Sequence, residues 1–355
     1  MRRRGPAGAG VPSGPRSHHA DKVDTKRFVR LGPANVGVVP EIPPPQILCV
    51  GETMALVTPT EPLRLADAEH FALAHGGAES NVAAHLTELG LPTAWISRLG
   101  ADPLGDRVLG AIEGHGVDTR WVVRDKAPTG LYLKDPGPCG TRVFYYRRGS
   151  AASRLSVADI DAWPLEGARW LHLTGITPAL SETCAELVPA LIARAREHGV
   201  GVSFDANYRP ALWSVEEAGP ALLALARTAD VALVGLDEAQ TLWGADEAED
   251  VADLITGPRH VVVKDGDVEA VEFTRDDTGA ATVHRVPARS VEVVEPVGAG
   301  DAFAAGFLAA LLNGRPAADR LALGHSLAAW TLGSTSDHRA GHGPDVREPE
   351  ATRAH

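Results

Sequence analysis

The run Pro296–Asp301, with the letters PVGAGD, has the clearest chemical meaning in this sequence. Gly298, Ala299 and Gly300 stand directly before Asp301 and an apolar stretch that is typical of a helix. The backbone amides of a glycine turn and of a helix N-terminus together attract phosphate oxygens. A carboxylate repels phosphate, so Asp301 needs another purpose there, such as accepting the proton of an attacking hydroxyl. The alternative is an ordinary N-cap aspartate, and this run alone does not separate the two interpretations.

Two further runs place polar residues beside glycine or after an apolar stretch. Gly76 and Gly77 open a predicted helix that contains Asn81. Asn207 and Arg209 follow a run of apolar residues that is typical of a buried strand. In open parallel sheets, ligands bind beyond the carboxyl ends of the strands, which is where such residues would lie.

Short apolar runs alternate with amphipathic helical stretches from about residue 46 onward. This alternation predicts βαβ units around a mainly parallel sheet, with right-handed crossovers that place helices on both faces. The predicted strands are Ile47–Gly51, Thr93–Arg98, Trp170–Leu173, Gly201–Asp205, Val231–Val234 and His260–Lys264, and the predicted helices include Ser80–Leu89, Pro103–Glu113, Glu182–His198 and Glu216–Ala226.

Two strand-like segments, at about 52–65 and 129–148, break the alternation. The second has the glycine and proline residues of a hairpin loop at its centre. We expect the two segments to form a small β-sheet that stands off the main sheet and acts as a lid. Residues 1–44 are predicted to be a disordered, basic, Gly/Pro-rich tail, and residues 346–355 a flexible C-terminal tail.

The charge balance excludes a basic nucleic-acid-binding body. The chain has 34 basic and 46 acidic side chains and a net charge of −12, although its first thirty residues alone carry +6. Its three cysteines are widely scattered, which indicates reduced thiols in a cytoplasmic protein. No apolar run is long enough to span a membrane. We therefore expect neither nucleic acid nor a membrane as a partner.

The three runs, in this order, resemble the motifs of the PfkB (ribokinase-like) carbohydrate kinases. The resemblance covers residues 45–345 and implies an α/β fold of three layers, α/β/α, with a mainly parallel central sheet and a small β-sheet lid. It implies ATP and Mg²⁺ as cofactors, with Asp301 as the base and the amides of Gly298, Ala299 and Gly300 as the anion hole. Kinases of this kind usually pair through their lids, so the resemblance also implies a homo-oligomer.

Within this family, the sequence is most similar to the kinases of 2-keto-3-deoxygluconate, a sugar acid. The similarity lies around Tyr132, from Phe144 to Ala151, from Gly175 to Ser181, and at Asn207–Arg209. It implies that the sugar acid is bound by Gly76, Gly77, Asn81, Tyr132, Tyr145, Arg147, Arg209, Asp301 and Asp337.

The residue types agree with such a substrate. A guanidinium can hold a carboxylate at two points, and a tyrosine can bond hydroxyls and cover a sugar ring. Arg147 and Arg209 therefore favour an acid over a neutral sugar. As alternatives, Arg209 could serve the ATP phosphates, and Arg147 could be a solvated hairpin residue. Of the tyrosines, we expect Tyr132 and Tyr145 to face the site.

The nucleotide side departs from the family pattern at several positions. The resemblance assigns nucleotide binding to Asn207, Lys264, Gly266, Gly298, Gly300 and His325, and magnesium binding, through water, to Glu238. The departures are Gly235 and His325, where the family has asparagine, Glu269 where it has glycine, and Glu295 where it has aspartate. These changes bear on nucleotide affinity and leave the base and its anion hole intact.

The expected function is therefore ATP-dependent phosphorylation of 2-keto-3-deoxygluconate at its terminal C6 hydroxyl. Another sugar kinase of the same family, of the fructokinase or ribokinase type, is the first alternative. A non-catalytic sugar or nucleotide sensor is the second. The sequence does not separate the gluconate-derived from the galactonate-derived acid.

Overall fold

Strands and helices alternate along the chain as its apolar runs predict. The computed structural model describes residues 43–137, 140–291, 293 and 297–333. The predicted tail therefore lies almost wholly outside the described residues, as do Asp337 and Glu295. The strands are β1 Ile47–Val50, β2 Met54–Pro59, β3 Phe71–Gly76, β4 Thr93–Gly100, β5 Val122–Asp125, β6 Leu131–Asp135, β7 Arg142–Tyr146, β8 Trp170–Thr174, β9 Gly201–Asp205, β10 Val231–Gly235, β11 His260–Asp265, β12 Glu269–Arg275 and β13 Ala281–Pro287. The helices are α1 Ala78–Glu88, α2 Pro103–Gly114, α3 Glu182–Glu197, α4 Val215–Thr228, α5 Leu236–Trp243, α6 Ala248–Leu254, α7 Ala299–Leu312 and α8 Ala317–Leu332.

The main sheet has nine strands in the order β13-β12-β11-β10-β9-β8-β1-β4-β5. Its pairs are parallel from β11 to β5, which confirms the expected mainly parallel sheet. At the other edge, β11, β12 and β13 pair in antiparallel fashion. Only three residues separate β11 from β12, and a connection that short makes a hairpin because a parallel crossover needs a dozen residues or more.

Both faces of the main sheet are covered by helices. In β1, Leu48 and Val50 pack into the apolar layer that contains α3, α4, α5 and α6. Ile47 and Cys49, which point to the opposite face, pack into the layer that contains α1, α2, α7 and α8. Strands that are buried on both faces consist of continuous apolar runs, and the positions of these strands could therefore be predicted from the sequence. The fold is the expected three-layer α/β/α arrangement.

A second sheet of four strands, in the order β3-β2-β6-β7, contains strands from both segments expected to form the lid. We call it the lid sheet. Its centre is the parallel pair of β2 and β6, and an antiparallel partner flanks each of them. Strand β3, whose last residue is Gly76, was not among the predicted strands. This strand connects the lid sheet directly to the glycine pair at the start of α1.

The carboxyl ends of the parallel strands lie at the same edge of the main sheet. Asp205 ends β9, Gly235 ends β10, and Lys264 is the next-to-last residue of β11. The lid sheet begins four residues after β1 ends at this same edge. No helix among the described residues is long and apolar enough to cross a membrane.

Candidate active site

The three polar runs of the sequence meet at one carboxylate. Asp301 is the third residue of α7, and Gly298 caps this helix with a φ of 84°, a left-handed conformation that favours glycine. The Asn81 side-chain amide donates to Asp301 Oδ2 at 2.9 Å, and that of Asn207 donates to Oδ1 at 3.4 Å. Side chains that lie 220 and 94 positions before Asp301 therefore hold the two oxygens of this buried carboxylate.

Burial raises the pKa of Asp301 from 3.8 to about 6. The hydrogen bond from Asn81 and the charges of Arg209 and Lys264 oppose this rise, while the charge of Asp205 adds to it. A carboxyl with a pKa near 6 is ionised at neutral pH and yet is a stronger base than an exposed aspartate. This combination suits removal of a proton from a hydroxyl.

Asn207 has the backbone strain of a functional residue. Its φ is 38°, and it is the one described non-glycine residue with a positive φ. Its backbone N–H donates to Asp205 Oδ1 at 3.3 Å, and its side-chain oxygen is buried without a hydrogen-bond partner. The strained turn therefore leaves an acceptor at the cavity wall for a ligand.

The glycine pair brings the lid sheet close to α1. A Cβ on Gly77 would lie 2.4 Å from the Glu52 carbonyl oxygen and 2.6 Å from Thr53 Oγ1, so a side chain cannot fit without movement. Gly76 pairs with Met54 at the end of β3. Both glycines line the cavity described below.

Glu79, in the same run, is a buried residue that the sequence analysis did not single out. Its Oε1 accepts from Thr174 Oγ1 at 2.7 Å and from Thr177 Oγ1 at 2.9 Å, whereas its Oε2 is buried without a partner. Burial raises the pKa of Glu79 from 4.5 to about 7, and the threonine bonds partly offset that effect. Glu79 therefore ties the start of α1 to the end of β8, and its two threonine partners could not be identified from sequence spacing.

The lid sheet contributes two tyrosines, as expected. Tyr132 and Tyr145 are directly opposite each other on β6 and β7, and their rings stack with centroids 6.0 Å apart. Both line the cavity. Tyr146, the next residue along, points to the other face and is 62% exposed.

The side chain of Arg147 is buried, so its interpretation as a solvated hairpin residue is wrong. Its Nε and Nη2 contact Glu52 Oε2 at 2.6 and 2.5 Å, and the other Glu52 oxygen accepts from Ser150 Oγ at 2.5 Å. Glu52 lies just after β1, so this buried ion pair fastens the lid sheet to the main sheet. Two of the guanidinium nitrogens of Arg147 are therefore already engaged.

Arg209 is placed differently. Its Nη1 donates to the Tyr208 carbonyl at 3.0 Å, and its charge helps to lower the pKa of Asp301. It lines the cavity close to the predicted base. Among the arginines on substrate-side motifs, Arg209 is the one that is not engaged by a carboxylate within the described residues.

On the predicted nucleotide side, Lys264 Nζ contacts Asp205 Oδ2 at 2.7 Å. The Glu238 carboxylate accepts from the backbone N–H groups of Tyr208 at 2.8 Å and Gly235 at 2.9 Å. Burial raises the pKa of Glu238. Glu238 therefore holds two strand ends together, and each of its oxygens keeps a lone pair that could accept a bond from a metal-bound water.

The residues that depart from the family pattern have partners of their own. Glu269 is ion-paired with Arg285, which also contacts Glu249. His325 Nε2 lies 3.0 Å from the Val286 carbonyl oxygen, and its ring meets Phe303 edge-on at 5.3 Å. Gly266 forms the turn after β11 with a φ of 46°.

One cavity of about 620 Å³ is lined by the predicted site residues described above, whereas Glu79 and Tyr146 are not part of its lining. Of the site residues predicted from the sequence, only Asp337 is missing from its lining, because Asp337 lies outside the described residues. The lining also contains Glu52, Lys134 and Asp237, which the sequence analysis did not assign to the site. The predicted members are Gly76, Gly77, Asn81, Tyr132, Tyr145, Arg147, Asn207, Arg209, Glu238, Lys264, Gly266, Gly298, Ala299, Gly300, Asp301 and His325.

The described residues contain no group of three or more His, Cys, Asp or Glu side chains that could hold a metal ion. Mg²⁺ usually keeps several waters and binds through one or two carboxylates together with substrate phosphates. Two carboxylates, Glu238 and Asp237, line the cavity and would fit such a role. The cavity thus joins a buried carboxylate with a raised pKa, a helix N-terminus suited to phosphate and a tyrosine-lined pocket. Such an arrangement can transfer a phosphoryl group to a hydroxyl.

Comparisons with known proteins find similar kinases over most of the chain. Residues 44–340 match the family described as pfkB family carbohydrate kinase. A 2-dehydro-3-deoxygluconokinase from Bacillus subtilis is 36% identical over 293 residues, which are 81% of this chain and 89% of that protein. A 2-dehydro-3-deoxygalactonokinase from Haloferax volcanii is 35% identical over 294 residues, which are 80% of this chain and 90% of that protein. The crystal structure of a PfkB protein from Polaromonas sp. JS666 has a TM-score of 0.74 and 37% identity, and the match covers 83% of this chain and 98% of that one.

Proposed function

The chain belongs to the pfkB family of carbohydrate kinases, and from that premise we propose that it phosphorylates 2-keto-3-deoxygluconate. ATP would donate its γ-phosphoryl group to the terminal C6 hydroxyl, and the product would be 2-keto-3-deoxy-6-phosphogluconate. The observation that carries the proposal is Asp301, a buried carboxylate with a raised pKa at the N-terminus of α7, in a cavity that also contains Arg209. Two relatives named as sugar-acid kinases match 80% and 81% of this chain, which supports the choice of substrate.

Asp301 takes the proton of the C6 hydroxyl as the hydroxyl oxygen bonds to the γ-phosphorus and the bond from that phosphorus to the departing ADP oxygen breaks. Asn81 and Asn207 hold its two oxygens, so the carboxylate keeps one orientation. The backbone amides of Gly298, Ala299 and Gly300 face the transferring group and balance its negative charge.

The acid end of the substrate needs a cation. Arg209 supplies it in our proposal, since no carboxylate of the described residues engages its guanidinium. Arg147 acts with it through the nitrogen that Glu52 does not engage. Tyr132 and Tyr145 cover the sugar-acid chain from the lid sheet.

Magnesium supplied with ATP neutralises phosphate charge when it is bound. Glu238, with Asp237 beside it, would hold its waters, and the unpartnered side-chain oxygen of Asn207 could accept a bond from one of them. Lys264 offers a positive charge next to the same edge of the cavity. Asp337 is the one proposed substrate residue that lies outside the described part of the chain.

An assay that couples ADP release to NADH oxidation tests the substrate. The full-length protein receives Mg²⁺ and ATP with 2-keto-3-deoxygluconate, its galactonate-derived epimer, fructose or ribose. We expect kcat/KM for a keto-deoxy acid to exceed that for fructose and ribose by at least about 100-fold, because only the acid fills the cation site. Equal turnover of the neutral sugars would show that the substrate assignment is wrong.

A second candidate is a kinase for a neutral sugar such as fructose. The buried Glu52–Arg147 pair favours it, because one of the two arginines expected to hold an acid is largely neutralised. The same substrate panel decides between the two. A non-catalytic sensor would bind its ligand in the parent and in Asp301→Asn alike and would show no turnover in either.

We further propose that the protein acts in the cytoplasm as a homodimer that pairs through its lid sheets. Exposed aromatic residues on the lid strands, Phe71 and Tyr146, support a lid-to-lid contact. Light scattering after size exclusion would show twice the chain mass of 37.3 kDa. Phe71→Ser combined with Tyr146→Ser should give the monomer.

A further inference from the structure

A second cavity, of about 820 Å³, lies at the end of the main sheet opposite the candidate active site. Its wall includes the residues that begin β8, β9 and β11, whereas the active site lies beyond the ends of these strands. It shares no lining residue with the active-site cavity. Its size is within the range usual for small-molecule sites.

Positive charge is concentrated around this second cavity. Five arginines line it, although the protein as a whole has a net charge of −12. They are Arg169, Arg196, Arg259, Arg315 and Arg320. Two of the five are close to carboxylates: Arg320 is ion-paired with the buried Glu272, and Arg315 lies 3.9 Å from Asp319.

The other three guanidinium groups have no carboxylate partner among the described residues. Arg169 donates to the Gln46 side-chain oxygen at 3.1 Å and to the Leu312 carbonyl at 3.2 Å, and Arg196 donates to the Thr228 carbonyl at 2.5 Å. Arg259 has no side-chain partner within the described part of the chain. Neutral oxygens therefore orient two of these cations without compensating their charge. The one carboxylate in the cavity wall, Asp230, already accepts from the Val202 N–H.

The spacing of these cations indicates the kind of anion they fit. Arg169 precedes β8 and Arg259 precedes β11, and two strands lie between them in the sheet. Three strand spacings correspond to about 14 Å between the two backbones. A single phosphate would have to draw both side chains together, and Arg169 is already held by Gln46 and the Leu312 carbonyl. An extended molecule with a phosphate at each end can contact the two arginines without that movement. The cavity wall also offers apolar surface from Trp170, Leu311 and Leu312.

We propose that this cavity, the basic cleft, binds a small organic bisphosphate at a site separate from the active site. Guanidinium groups bind phosphate at two points, and those of Arg169 and Arg259 would each hold one end of the ligand. Arg196 adds a third charge from the last turn of α3. The concave shape and the acidic remainder of the protein favour a small molecule over nucleic acid.

Isothermal titration of the full-length protein with fructose 1,6-bisphosphate as the probe tests this site. The titration contains 0.1 M salt, Mg²⁺ and a saturating non-hydrolysable ATP analogue, so that the phosphate-binding part of the active site is occupied. We expect one ligand per chain, and about tenfold weaker binding in Arg259→Ala and in Arg196→Ala because each loses a charged hydrogen bond. Inorganic phosphate should compete poorly, because it lacks the second phosphate that would hold the other arginine.

Arg194→Ala is the matched control. Arg194 is also on α3, two residues before Arg196, but it contacts Asp161 and Glu197 outside the cleft. Its substitution should change the dissociation constant less than twofold, and all variants should keep the melting temperature of the parent. Absence of saturable binding, an equal loss in Arg194→Ala, or displacement of the probe by the ATP analogue would each overturn the proposal. The measurement needs no turnover, so its outcome is independent of the proposed kinase substrate.

Discussion

Replacing Asp301 by asparagine should inactivate the protein and stabilise it at the same time. The loss of the base should lower kcat by about a thousandfold. Stability should change in the other direction because the buried charge is removed. The pKa of Asp301 rises from 3.8 to about 6 in the folded protein, so keeping the carboxylate ionised there costs about two pKa units, or about 3 kcal/mol.

The pH dependence gives this prediction its sign. The folded pKa of Asp301 is above its unfolded value, so the neutral carboxyl contributes its full stability below pH 3.8, and that stability is lost as the pH rises through about 6. The asparagine variant has no charge there at any pH. About half of the 3 kcal/mol difference should therefore develop between pH 5 and pH 8. At low pH the variant should be slightly less stable, because one amide oxygen cannot replace both contacts to Asn81 and Asn207.

Urea denaturation of both proteins at pH 5 and pH 8 measures the difference, and the coupled assay measures kcat. The control is Glu186→Gln, an exposed substitution on α3 that should leave the free energy of unfolding unchanged at both values. In the parent, kcat/KM should fall below about pH 6, as the base becomes protonated. If the free energy of unfolding of the variant, relative to the parent, does not increase from pH 5 to pH 8, burial does not raise the pKa of Asp301. The role of Asp301 as base is refuted if the variant keeps more than about a tenth of the activity.

Three other substitutions test neighbouring contacts. Gly77→Ala would place a Cβ 2.4 Å from the Glu52 carbonyl oxygen, so we expect kcat/KM to fall about 100-fold, and parent-like kinetics would contradict this. Arg147→Lys cannot keep the two-point contact with Glu52, so the free energy of unfolding measured in urea should fall by about 1–3 kcal/mol. The KM for the sugar acid should rise about tenfold while the KM for ATP stays unchanged. An equal rise in both KM values would argue against a role of Arg147 in the sugar-acid pocket. Glu79→Gln keeps the shape of a buried carboxyl whose pKa is about 7, so kcat should stay within about threefold of the parent. The variant should gain more stability over the parent at pH 8 than at pH 5, because it has no carboxyl to ionise. A large loss of kcat would show that ionised Glu79 is required.

Much of the main sheet and of the catalytic centre could be predicted from the sequence. The central strands are buried on both faces, and continuous apolar runs of this length are typical of such strands. The convergence of Asn81, Asn207 and Asp301 followed from three short motifs, each held at an element end. These features depend on local sequence, which is why they could be located without coordinates.

The missed features depend on contacts between distant segments. Strand β3 has no strong alternating pattern, and only its pairing with β2 makes it a strand. The Glu52–Arg147 pair joins residues 95 positions apart, and it exists because the lid sheet lies in one orientation on the main sheet. The basic cleft likewise collects arginines from separate elements: Arg169 and Arg259 precede strands, whereas Arg196 lies at the end of α3. Neither composition nor spacing could show these neighbours.

The connectivity of the lid sheet has a consequence for how the protein folds. Its central parallel pair joins β2 to β6, and Ala55 is opposite Leu131 across 76 positions of sequence. The segment between these two strands contains β3, α1, β4, α2 and β5, so pairing β2 with β6 closes a long loop. Contacts between distant segments form slowly, since loop-closure entropy is lost before they are made. The antiparallel pairs β2–β3 and β6–β7 would form before β2 pairs with β6. The lid sheet should therefore be the last part of the fold to gain protection in pulsed hydrogen exchange.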